Sequence, residues 1–215
     1  MIVDMYSDMV CPWCRIGKKN VQDALSMWDG EPVTVRFRSF ILDAGVPKEG
    51  DNFRERMIER KGLPEEQVRR AFENVTEAGK ATGLHFDFER VTIAPNTTAA
   101  HCLMAIAPEP LRSALLDQIM EAYFLRNVNI GLPEQLGTIA EKLGIEDAES
   151  IARRLRNNEG LLQVKRDLRE ARTVGVTGVP YFVFNEKYGL SGARPPKDFI
   201  RALEWTAKQG SALET

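Results

Sequence analysis

No apolar run in this chain approaches the ~20 residues that a membrane-spanning helix needs. Cysteine and histidine are scarce, three and two among 215 residues, which excludes a disulfide-stapled scaffold and leaves little material for a metal centre. There is no excess of charge of either sign. The 29 basic and 31 acidic residues are interspersed and leave a net charge of −2, so neither nucleic acid nor an anionic membrane surface is an expected partner. Internal repeats and low-complexity segments are absent as well. Near the start, Asp4 and Asp8 interrupt the one apolar stretch, so no signal-peptide pattern forms and a cytoplasmic location is expected. What remains is a 43% hydrophobic chain, ordinary for a globular protein with a real core, and long enough for one large domain or a core domain carrying an insertion.

The chemistry-bearing stretch is Cys11-Pro12-Trp13-Cys14. It follows an apolar run, Ile2 to Tyr6, suited to a strand. It precedes Ile16, Val21, Ala24, Leu25 and Trp28, whose spacing suits a helix. A Cys-x-x-Cys turn that opens a helix places side chains i and i+3 on one face, within bonding reach of each other. The unpaired N–H groups and the positive end of the helix dipole favour a thiolate there. Pro12 suits the first turn because no N–H is needed at that position. This assigns Cys11 as a partly exposed attacking thiol and Cys14 as the resolving thiol. Arg15, Lys18 and Lys19 either add to the positive field or form a solvated face. Three other readings compete. A structural disulfide would close so short a loop that it constrains the unfolded chain little. Half of a zinc site would have to borrow Cys102 and a distant histidine, since no second Cys-x-x-Cys exists. Chance placement is the third.

Beyond the first helix, Asp29-Gly30 signals a turn, and Val33 to Phe40 alternates as a second strand, completing a βαβ unit. Leu42 to Asp51 has the composition of a loop. From Asn52 to about Asn158 the pattern is helical. Segments are expected over 52–60, from Pro64 to about Gly83, and from Asn96 or Thr97 to Ala107. Further ones follow at 111–126, 133–143 and 148–156, with a short extended piece at Leu84 to Glu89. A helix over 160–174 closes at Gly175. Pro180 to Phe184 and Lys187 to Leu190 suit an antiparallel pair, and a last helix runs from about Lys197 to Lys208. The order is βαβ, a helical block, then ββα.

That order, with Cys-x-x-Cys at the first helix and Val179-Pro180 opening the third strand, resembles the thioredoxin fold, and the helical block inside it resembles the DsbA family. The similarity is greatest to FrnE-type DsbA-like oxidoreductases. It rests on Cys11-Pro12-Trp13-Cys14 with Ile16-Gly17-Lys18, on Asn96-Thr97 with Ala100-His101, and on Ala122-Tyr123-Phe124. Gly175-Val176-Thr177-Gly178-Val179-Pro180 and Ser191-Gly192-Ala193-Arg194-Pro195 add to it, so it spans most of the chain. The resemblance implies an α/β thioredoxin-like fold in two parts, residues 1–50 and 159–215, around an all-helical insertion at 51–158. It implies a cis Val179–Pro180 bond opposite the cysteines. It further implies thiol–disulfide exchange through a mixed disulfide on Cys11 and a redox-active Cys11–Cys14 disulfide. Pro12 and Trp13 would tune it, and Val179 and Pro180 would support substrate binding. Partners would be protein or small-molecule thiols and disulfides. No bound cofactor or metal is implied, although glutathione is a conceivable co-substrate.

The same family is similar to 2-hydroxychromene-2-carboxylate isomerases and kappa-class glutathione transferases, which usually carry serine at the position of Cys11. A glutathione-dependent isomerase or transferase is therefore the alternative, and a binding module with incidental cysteines a third. Among the remaining candidates, Cys102 is expected to be a buried inert thiol and His101 a hydrogen-bonded residue facing the inter-domain cleft. His85 is expected at the surface, and Met5, Met9, Met57, Met104 and Met120 in or near the core. Met9 and Trp13 are expected to rim an apolar substrate site. The oligomeric state is left open.

Overall fold

A computed structural model describes residues 1–60 and 62–211; residue 61 of the predicted insertion and residues 212–215 of the predicted part 159–215 lie outside the described residues. The chain opens with β1 (Ile2–Ser7), α1 (Pro12–Ser26) and β2 (Thr34–Ser39). A loop leads to the short β3 (Asp51–Asn52) and α2 (Phe53–Glu55), which runs on as a π-helical turn over Arg56–Arg60. Then come α3 (Glu65–Ala81), β4 (Ile93–Ala94), α4 (Thr98–Ile106), α5 (Arg112–Arg126), α6 (Pro133–Lys142), α7 (Ala148–Arg156) and α8 (Leu161–Thr173). The hairpin β5 (Tyr181–Phe184) and β6 (Tyr188–Ser191) and the final α9 (Pro196–Ser211) complete the chain.

The main sheet has the order β2-β1-β5-β6, with β1 parallel to β2 and antiparallel to β5. Because the side-chain period of a strand is two, β1 serves both faces of the sheet. Val3 and Met5, paired with Phe184 and Phe182, lie in the cluster that holds Phe199 and Leu203 of α9. Tyr6 lies in the cluster that holds Val183 of β5 and Ala171 of α8. Each of these fully buried aromatic side chains contributes on the order of 1.5–3 kcal/mol. The core continues without a break into the helical stretch through Leu115, Ile119 and Met120. Helix α5 is buried on more than one face, which marks it as the central member of that layer.

Buried charge ties the layers together. Asp4, 3% exposed in the middle of β1, accepts hydrogen bonds from Arg36 at 2.7 and 2.6 Å and from Arg38 at 2.7 Å. Asp167 of α8 accepts from the Ser39 N–H at 2.9 Å and pairs with Arg38 at 3.4 Å. The predicted α-helix over 52–60 does begin with an Asn52 cap, whose side chain accepts the Glu55 N–H at 3.1 Å, but it widens into the π turn. The piece expected to be extended at 84–89 forms no strand. Its alternation serves aromatic packing instead, with Phe86 and Phe88 stacked at 5.5 Å and Phe88 on Phe72 at 4.3 Å. The two-residue β3–β4 ladder was not predicted, since two residues cannot display an alternation.

Lys18 was expected to face solvent or to add to the field at the cysteines. It is instead 1% exposed, its ammonium 2.7 Å from the Asp117 carboxylate. Burial, partly offset by Asp117, holds this lysine below the ordinary lysine range. A proton bound less tightly in the folded chain than in the unfolded chain opposes folding while the group is charged. That opposition is present below the folded value and fades as pH rises through it toward the free-lysine value of ~10.4. Because the Asp117 side chain is 49% exposed, water can solvate it once its partner is gone, and Lys18→Met is expected to leave stability at neutral pH unchanged or raise it by about 1 kcal/mol. The wild type should gain on the variant in alkaline solution. Urea midpoints across pH check this, and a variant less stable by about 3 kcal/mol or more at neutral pH, on the order of a broken buried pair, would contradict it.

Candidate active site

Cys11 is the N-cap residue of α1, and Pro12 occupies the first turn, which contains no acidic residue. The Cys14 N–H donates to both the carbonyl and the sulfur of Cys11, at 3.0 and 3.3 Å, so an unpaired helix donor is spent on the thiol itself. On its other side the Cys11 thiol donates to the Val179 carbonyl at 3.5 Å. The Val179–Pro180 bond is cis, and Pro180 is buried against α1. Gly17 makes that approach possible, since a Cβ there would lie 2.9 Å from the Pro180 ring. Asn20 fastens the same helix to the 192–195 loop by donating to the Arg194 carbonyl at 2.9 Å. Cys11, Pro12, Trp13, Cys14, Val179 and Pro180 are thus brought together, and all three cysteines are unpaired thiols.

Several expectations need correction. Cys11 is 5% exposed and Cys14 0%, so the attacking candidate is not a freely exposed thiol; access to it runs through a cavity. Arg15 is buried, donating to the His85 carbonyl at 2.7 Å with its guanidinium over Phe86, and Lys19 pairs with Asp23 at 2.5 Å. Arg15 and Lys18, the latter held by Asp117, dock α1 on the helical stretch, Lys19 is paired within α1, and none of the three offers a free positive field. Met9 is 2% exposed and forms no rim, whereas Trp13 is 42% exposed and does. His101 is buried but not hydrogen-bonded through Nε2, which stands 3.5 Å from Asp8 Oδ1. Burial pushes Cys102 up to about 11, so it remains a thiol at ordinary pH. Burial and the nearby Cys11 push the Cys14 thiol well above the ordinary value. Among the described residues no group of three His, Cys, Asp or Glu side chains is placed to hold a metal ion.

A cavity of about 270 Å³ opens beside Cys11. Cys11, Pro12 and Trp13 form one wall, and Phe53, Phe72, Phe88, Val91, Tyr123 and Phe124 supply an aromatic and apolar part of the rest. The Arg56 guanidinium on its edge is already taken by Asp43 at 2.7 Å and Asp51 at 3.0 Å. The aromatic wall comes from the helical stretch and was missed in the sequence. The Phe86/Phe88 alternation was its one visible trace.

Residues 2–204 match the family described as DSBA-like thioredoxin domain. No curated protein matches the chain. Among solved structures, a probable DsbA oxidoreductase from Streptomyces coelicolor is 31% identical, over 97% of this chain and 90% of that one, with a TM-score of 0.87. A 2-hydroxychromene-2-carboxylate isomerase is 16% identical over 100% of both chains, with a TM-score of 0.71. The cytosolic disulfide reductase DsbM from Pseudomonas aeruginosa, in a structure with GSH, is 17% identical over 100% of both, with a TM-score of 0.61. At those two identities the likeness is one of fold. The family match runs from the first strand into the closing helix, over a four-stranded mixed sheet with a helical stretch between its second and third long strands. The chain belongs to the family of DSBA-like thioredoxin domains.

Proposed function

We propose that this protein is a cytoplasmic thiol–disulfide oxidoreductase working through Cys11 and Cys14. The observation that carries the reading is the Cys11 sulfur, which receives the Cys14 N–H at the head of α1, faces the Val179 carbonyl, and lies on the wall of the apolar cavity. In the forward direction Cys11 thiolate attacks one sulfur of a substrate disulfide and expels the other as thiolate. Cys14 then attacks the Cys11 sulfur, closes the protein disulfide and releases the second substrate thiolate. Starting from the oxidised pair, the same steps in reverse oxidise a substrate dithiol. The helical stretch supplies the wall against which the substrate's flanking group would lie. The cavity exceeds the ~150 Å³ that accommodates benzene, so one or two apolar rings suit it. The cytoplasmic location is supported by the fold shared with a cytosolic disulfide reductase. Among the described residues no helix is long and apolar enough to cross a membrane.

A second reading is favoured by the fold shared with the isomerase and with a reductase solved with GSH: a glutathione-dependent isomerase or transferase. Cys14→Ser separates the two. Without its resolving partner, held one turn away at high effective concentration, Cys11 can attack but the adduct waits for an external thiol. Mixed disulfides with proteins or small thiols are expected to accumulate on Cys11 in a lysate and to be visible by mass spectrometry, with Cys102→Ser behaving as wild type. Glutathione as the sole adduct would move the second reading ahead. No adduct, together with loss of turnover in Cys102→Ser, would end the first.

A further inference from the structure

Phe72 of α3 and Phe88, from the stretch between α3 and β4, stack at 4.3 Å with their planes 4° apart. Both residues line the cavity beside Cys11, a second hollow of about 700 Å³ and a third of about 520 Å³. The stacked pair is therefore a common wall of all three. The Cys11 side of that wall is mainly apolar. On the far side stand Arg54, Glu55, Glu65, Arg69 and Glu89, with Arg54 paired to Glu65 and Arg69 to Glu73. The wall is braced. Phe86 stacks on Phe88 at 5.5 Å, and Phe124 meets Phe88 edge-on at 5.9 Å. Phe86 is held in turn by the Arg15 guanidinium, 5.3 Å from its centre, and by Gly79, where a Cβ would lie 2.6 Å from the ring. A row of rings thus runs from α1, the helix headed by Cys11, out to Phe72. Several packed rings would have to move together to shift it, so it is a fixed boundary.

Resting on the reading of Cys11 and Cys14 as the exchanging dithiol, we infer that the Phe72–Phe88 stack sets the size of the group a substrate can carry beside its disulfide. A flat group of one or two rings fits between Cys11 and the stack and buries its faces against aromatic side chains. A larger one has to displace Phe72 and enter the charged hollow behind it. The preferred substrate is a disulfide whose cysteine has a single aromatic side chain next to it, on a chain free enough to lay that ring in the cavity. Phe72 is the specificity-determining residue. Among the described residues its ring contacts are Phe53 and Phe88, so truncating it opens the wall without unseating Phe86 or Phe124.

The test uses the full-length chain, dithiothreitol, and disulfide-linked dimers of acetyl-Cys-X amide in which X is Gly, Phe or pyrenylalanine. Dithiothreitol is oxidised and supplies, through the Cys11–Cys14 pair, the two electrons that each dimer takes up. The readout is kcat/KM for each dimer divided by that for the Gly dimer in the same variant, after subtraction of the uncatalysed reaction. For the wild type a ratio of about ten is expected for Phe and about one or less for pyrenylalanine. In Phe72→Ala the pyrenylalanine ratio is expected to rise by about tenfold and to reach or pass the Phe ratio. A merely structural role for Phe72 would lower all three rates together and leave the ratios where they are. A pyrenylalanine ratio that rises by less than about threefold would overturn the proposal, as would a wild type that already favours pyrenylalanine over Phe. Should Phe72→Ala fail to fold, Phe72→Leu, which removes the flat face and keeps apolar bulk, decides by the same ratio. Absence of wild-type turnover with every dimer would overturn the dithiol reading itself, a result distinct from any of these.

Discussion

Serine in place of Cys11 is expected to abolish disulfide exchange, lowering insulin-disulfide reduction by about a thousandfold or more while the thermal transition stays where it is. The size of the effect follows from the nucleophile. A serine hydroxyl beside the same Cys14 N–H and Val179 carbonyl can occupy the site, yet no sulfur remains to form the mixed disulfide. Fold and stability should be spared because the change removes one atom's polarisability and little volume at the end of a helix, and an oxygen there can still accept the Cys14 N–H as a cap. Cys102→Ser is the control, since that thiol is buried in α4 and stays protonated at ordinary pH. Residual reduction above about a tenth of wild type would remove Cys11 from the reaction, because loss of an essential nucleophile leaves far less. Loss of activity together with loss of the folding transition would make the result structural.

The largest expected effect on stability is at Asp4. Asp4→Ala strips the carboxylate that Arg36 and Arg38 share and leaves two guanidinium groups at the centre of the β1–β2 pair. Breaking a buried pair in this way is worth about 3–5 kcal/mol. The lower figure, about 3 kcal/mol, applies here: the Arg36 side chain is 31% exposed and has Glu186 at 3.7 Å, and Arg38 keeps Asp167 at 3.4 Å. Against a typical total of roughly 5–15 kcal/mol, that is enough to lower a urea midpoint visibly. Asp4→Asn, which retains an acceptor, should lose less. A midpoint shift in Asp4→Ala within the error of the wild-type curve would show that the arginines find other partners and that the carboxylate is dispensable.

Local pattern carried much of the architecture. The apolar run before Cys11, the helical spacing after it, the Asn52 cap and the aromatic stretch after Pro180 each state a local preference that tertiary contacts did not override. The Cys-x-x-Cys pair was legible for the same reason: i and i+3 on a helix are neighbours whatever the rest of the chain does. The cavity was not legible. Phe53, Phe72, Phe88 and Phe124 are far apart in sequence, and nothing in their own neighbourhoods states that they converge on Cys11.

Asp4 and Asp8 mark the limit most clearly. In the sequence both are only charges that interrupt an apolar run. Asp4 is tolerable in β1 because register places Arg36 beside it on the neighbouring strand. Asp8 acquires a counterpart only when α4 brings in His101, more than ninety residues later. The same holds for Gly160, whose left-handed backbone lets α8 begin directly against the Cys102 carbonyl, where a Cβ would stand 2.6 Å away. Sequence alone determined the long helices, the four strands of the main sheet and which pair of thiols shares a helix face, because those depend on residues a few positions apart. Tertiary structure decided which charges are paired, how far Cys11 is buried and what surrounds it. Those depend on desolvation and on contacts between distant segments, which no local period encodes.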